Sequence, residues 1–151
     1  MSSKKREACP QREIVRVADL VKFGRLAEAE VLAKSLTRRF PQDGTGWKLL
    51  GRVLHSLGRA GETVLAFQKA AKLLLDDVEA QFNLSLVLQT QGQLAAAAAS
   101  YRRTLLLQPD IAVAHGNLGN VLQAQGKFAE AEACYRRALA LQPDFLAAQY
   151  N

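Results

Sequence analysis

The constraint that most limits this chain is a period: its landmark residues return every 34 positions. Gly58, Gly92 and Gly126 lie on that grid, as do Tyr101 and Tyr135, and Pro109 and Pro143, while Gly24 and Pro41 extend it toward the N-terminus. Units of this size cannot bury a core singly, so a fixed period of this length implies supersecondary units stacked on their neighbours. The grid divides the chain into repeats at 10–43, 44–77, 78–111 and 112–145, preceded by a basic tail at 1–9 and followed by the opening of a fifth repeat at 146–151. The tail, which includes Cys9, is expected to be frayed.

The clearest repeat reads AVAHGNLGNVLQAQGKFAEAEACYRRALALQPDF. His115, Leu118, Gly119 and Leu122 fall at the spacing of one buried helical face. Gly126 ends that helix, because glycine takes the left-handed cap conformation cheaply. Phe128, Ala131, Tyr135 and Ala138 then form the inner face of a second helix, and Pro143 stops it. In the second repeat Leu75 stands where proline is expected, which predicts a helix running on to Asp76. In the third, Ser85 and Thr104 replace glycine and alanine and remain small. In the first, Glu13 and Arg16 occupy core positions, as expected of a terminal repeat that caps a stack with polar surface.

These landmarks resemble the tetratricopeptide repeat, whose signature runs aromatic, Leu-Gly, hydrophobic, Gly, Ala, aromatic, Ala, Pro. The resemblance covers residues 10–145 and implies an all-α fold, a right-handed α-solenoid of antiparallel helix pairs. Composition agrees: hydrophobic residues make up 49% of the chain, with only ten glycines and four prolines.

Net charge is +6, concentrated in residues 1–77, where fifteen Lys or Arg face nine Asp or Glu; residues 78–151 carry five of each. That bias keeps an RNA-binding helical repeat open as a second alternative. Aromatic residues are only 7% and do not interleave with Arg as in base-stacking surfaces, so nucleic acid is not the expected partner. The two cysteines, Cys9 and Cys134, lack metal-ligand spacing and read as free thiols. No secretory leader and no membrane-length apolar run are visible, and a cytoplasmic location is expected.

Neither a helical His pair for zinc nor a phosphate-binding loop ending in Lys-Ser/Thr is present. Asp43-Gly44-Thr45-Gly46 reads as a turn and helix start, His115 as a packing residue at the position of Trp47, and Cys134 as a structural thiol. The expectation is a binding module without cofactor or metal, any catalytic domain lying beyond residue 151.

In the resembled family the first helix of each repeat lines a concave groove. The corresponding positions here are Lys48, Arg52 and His55, then Phe82, Asn83, Leu86 and Gln89, then Gly116, Asn117, Asn120 and Gln123. Asn83, Asn117 and Asn151 share one position of the repeat. This asparagine ladder is similar to the repeat region of protein O-linked N-acetylglucosamine transferases, where asparagines grip an extended peptide backbone. NLGNVLQAQGKFAEAEACYRRALALQPD and FPQDGTGWKLLG resemble the repeats of bacterial SPINDLY-like members. Co-chaperone carboxylate clamps match less well: Lys48 and Asn83 fit, whereas Arg52, Val113 and Asn117 do not. The expected function is a protein–protein interaction scaffold that binds an extended polypeptide, with Lys48 and Arg52 steering acidic partners, as the N-terminal arm of a longer transferase-like protein. The alternative is a freestanding or self-associating adaptor. LAAQYN repeats the opening VEAQFN, so the natural protein is expected to continue past Asn151, and the uncapped end is expected to self-associate.

Overall fold

The computed structural model describes residues 7–144. Among them the chain is helical, without strands, and forms two compact units that divide between Leu75 and Asp76. The first unit holds α1 (Gln11–Lys22), α2 (Leu26–Arg39), α3 (Gly44–Ser56) and α4 (Ala60–Leu73). The second holds α5 (Val78–Thr90), α6 (Leu94–Leu107), α7 (Ala112–Ala124) and α8 (Phe128–Leu141). Within each unit, helices adjacent in sequence pack as antiparallel pairs. Among the described residues no helix is long and apolar enough to cross a membrane. The basic residues Lys4, Lys5 and Arg6, Asn151 and the expected fifth repeat lie outside the described residues.

Each pair turns on a glycine in the left-handed region, with φ of 73° at Gly24, 72° at Gly58, 71° at Gly92 and 75° at Gly126. The glycine N–H and the next N–H return to carbonyls of the helix just ended: Gly58 to His55 and Arg59 to Leu54, both at 3.0 Å. These bonds satisfy carbonyls that the helix end would otherwise orphan.

Packing between paired helices shows why small and large residues alternate. A methyl group added at Gly51 would lie 2.5 Å from the Phe67 ring, and one at Gly119 would lie 2.6 Å from the Tyr135 ring. The glycine is therefore the socket for the aromatic ring of its partner helix. In the first repeat the same two positions are Val17 and Ala33, both buried, so bulk has moved from the second helix to the first. Ser85 and Tyr101 form the third pair, both fully buried, and Ser85 Oγ donates to the Gln81 carbonyl at 2.8 Å.

Two expectations are corrected. The helix expected to reach Asp76 ends at Leu73 although proline is missing. Leu74 leaves helical geometry at φ −114°, ψ 66°, its side chain lies against Gly44, and Asp77 caps α5 by accepting from Ala80 N–H at 2.8 Å. Tertiary packing and the next cap thus replace the proline stop. Cys9, expected in a frayed tail, is buried with its N–H donating to Asp43 Oδ2 at 2.7 Å and its sulfur beside Gly46. Glu13, at its polar position in the first repeat, also pairs with Arg39 of α2 through two bonds at 2.7 and 3.0 Å.

Asp43 is the joint of this corner, because its other oxygen accepts from Thr45 N–H at 2.9 Å and caps α3. Burial opposes its ionisation, but the N–H groups of Cys9 and Thr45 outweigh it and hold the carboxyl below its usual range. A depressed carboxyl contributes stability that is present above the unfolded value, about 3.9, and is lost as pH falls through the folded value. Asp43→Asn, which keeps a good capping side chain, should therefore flatten the loss of stability below about pH 4 in acid-unfolding curves. An unchanged acid limb would remove Asp43 from this account.

Candidate functional site

The expected groove residues of the first unit lie on α3. Lys48 is half-buried, while Arg52 and His55 are exposed. Lys48 and Arg52 each interact within the chain, so neither is a free cation. On the neighbouring face Trp47 Nε1 donates to the Pro41 carbonyl at 3.1 Å. His115 Nε2 meets the Pro109 carbonyl at 2.7 Å in the equivalent place, which makes Nε2–H the donor and His115 a packing residue. Cys134 is half-buried on α8, and its thiol is raised from the ordinary value chiefly by that burial. Burial also pushes the Cys9 thiol up to about 11, with the nearby Asp43 charge adding to it. Neither environment activates a nucleophile.

In the second unit the expected residues lie on α5 and α7. Phe82, Asn83, Leu86 and Gln89 of α5 are all half-buried, as is Asn117 of α7, and Gly116 is buried. Two of them, Phe82 and Gln89, meet at Tyr101 of α6. Its ring is fully buried and lies edge-on to Phe82, centroids 6.1 Å apart at 65°. Its hydroxyl donates to Gln89 Oε1 at 2.6 Å. Burial raises the phenol to about 12, so the hydroxyl stays protonated at physiological pH. Asn83 makes no side-chain hydrogen bond among the described residues.

The pattern returns one repeat later. The Tyr135 hydroxyl lies 2.8 Å from both Asn120 Oδ1 and Gln123 Oε1. Both amides are exposed, and the hydroxyl, with one proton, can donate to only one of them at a time. The sequence did carry a signal for these tyrosines. Phe67 shows that a ring without a hydroxyl can fill the position, and a hydroxyl added to a buried ring requires a partner.

Two tetratricopeptide-repeat family profiles match, one at residues 112–145 and the other at 16–73 and 62–112. No curated protein sequence gives a significant match. Among solved structures, a crystal structure of MamA superposes with a TM-score of 0.80 at 20% identity, covering 91% of this chain and 80% of that one. A MamA AMB-1 structure gives 0.80 at 19% identity over 87% and 72% of the two chains, and a MamA RS-1 double mutant gives 0.80 at 21% over 88% and 75%. At these identities the likeness concerns the fold alone. With family profiles spanning most of its length and a recurring glycine-turned helix pair, the chain belongs to the tetratricopeptide-repeat family.

Proposed function

We propose that the chain is a protein–protein interaction scaffold that binds an extended polypeptide, and that amide side chains on its first helices grip the main chain of that partner. The observation that carries this reading is the half-buried pair Asn83 and Asn117, one repeat apart on α5 and α7. An amide offers both donor and acceptor, which suits it to a backbone irrespective of ligand sequence. Because Lys48 and Arg52 already interact within the chain, acidic steering is a secondary contribution from the first unit. The asparagine register resembles that of the transferase repeats, and on that resemblance the scaffold serves as the N-terminal recognition arm of a longer bacterial, cytoplasmic transferase-like protein. The reading frame beyond Asn151 tests that extension separately.

The binding reading is tested by titrating the isotope-labelled chain with unstructured peptides about 12 residues long, roughly 40 Å when extended. Expected are fast-exchange amide shifts concentrated on α5 and α7, with weak affinity that tolerates changes of peptide sequence. Shifts confined to α6 and α8, or no shifts at all, would overturn it.

Self-association is a second reading, favoured by two large apolar side chains left exposed on α8: Phe128 at 67% and Leu139 at 46%. If it holds, light scattering should show mass rising with concentration, and Phe128→Ser with Leu139→Ser should abolish the rise.

A further inference from the structure

Within each unit the second helix of one repeat packs on the first helix of the next, and α2 shows what such a contact consists of. Its Ala29, Ala33 and Leu36 share a core with Leu50, Leu54 and Ala66 of the second repeat. Glu30 of α2 reaches across to Arg59, the residue before α4, at 2.5 Å, and is itself paired with Lys34 at 2.5 Å. Arg59 also forks onto Glu62 at 2.7 and 2.6 Å.

The two halves of this contact recur on the outermost described helix pairs, each without the other. A groove of about 520 Å³ between α1 and α2 is lined by Leu20, Ala27, Val31 and Leu32 together with Arg16 and Glu28. Arg16, Leu20 and Leu32 stand one repeat before Leu50, Leu54 and Ala66, the positions that pack with α2. Arg25 stands one repeat before Arg59 and makes the same fork, to Glu28 at 2.7 Å twice, but among the described residues no acid from another helix meets it. Its side chain is 60% exposed, against 36% for Arg59. The other half is on α8, where Glu132 and Arg136 repeat the Glu30 and Lys34 pair. Glu132 is 62% exposed, against 19% for Glu30. Exposed Leu139 lies on the Glu132 face, seven residues on, as buried Thr37 does for Glu30. The same position as Glu30 is Val64 in α4 and Ala98 in α6, so only α2 and α8 carry the acid.

We propose that the occupant of the groove between α1 and α2 is α8 of a second copy of this chain, with Glu132 set on Arg25 as Glu30 is set on Arg59. The inference rests on the self-association reading and deepens it by naming both contact surfaces. Unlike surfaces meet, so the contact is heterologous and continues from copy to copy instead of closing as a symmetric pair.

The test is charge reversal in the full chain, at low fixed salt because exposed pairs are screened. Arg25→Glu and Glu132→Arg should each associate at least about 10-fold more weakly than the parent by light scattering, since like charges then face one another. The double variant Arg25→Glu, Glu132→Arg has the parent's net charge with the two signs exchanged, and should regain most of the association. Circular dichroism checks that each variant is folded. Should a reversal unfold the chain, Arg25→Gln and Glu132→Gln replace it, and each should weaken association roughly 2- to 5-fold. Either single variant associating like the parent, or a folded double variant as weak as the singles, would overturn the groove assignment while self-association stands. A parent whose mass does not rise with concentration would overturn the self-association reading and this inference with it.

Discussion

Phe67→Ala is expected to destabilise the first unit by about 3–5 kcal/mol, the usual cost of deleting a fully buried aromatic side chain. Phe67 is 3% exposed and fills the space that the absent Gly51 side chain leaves open. Removing it leaves a cavity facing a helix that has no side chain to collapse into it. Gly51→Val alone should also destabilise, by about 1–3 kcal/mol, since even its Cβ would lie 2.5 Å from the ring. Combined, the two should oppose their separate effects, because they reproduce the Val17 and Ala33 arrangement of the first repeat. Urea unfolding monitored by circular dichroism gives the three values. A double variant less stable than Phe67→Ala alone would show that the two positions do not exchange volume.

The volume exchange also shows how far the sequence could be read. The 34-residue grid, the turn glycines and the helix faces were legible because each depends on local geometry: left-handed glycine at 24, 58, 92 and 126, and helical spacing between them. The end of α4 was not, because proline is only one way to stop a helix, and here packing of Leu74 on Gly44 and the Asp77 cap supply another. Cys9 was misread for a similar reason. Nothing near it in sequence announces burial, and its partner Asp43 is a full repeat away. At the candidate site the first-helix residues could be nominated from the repeat register, but their gathering around Tyr101 could not. Phe82 and Gln89 of α5 meet it there, and only the hydroxyl that distinguishes tyrosine from phenylalanine hinted that the position does more than pack.

The second large effect concerns binding. Asn83 and Asn117 each place an amide on the proposed grip, and a net hydrogen bond to a peptide backbone contributes about 0.5–1.5 kcal/mol. Removing both should therefore lower affinity roughly 5- to 100-fold. Circular dichroism and thermal unfolding establish that the variants remain folded. The decisive measurement is peptide affinity of the double variant Asn83→Ala, Asn117→Ala beside the parent, using the same panel at fixed salt. The account predicts weakened binding of every peptide that the parent binds, by a similar factor whatever its sequence, with helicity intact. Equal binding by parent and double variant would show that the asparagines do not hold a polypeptide.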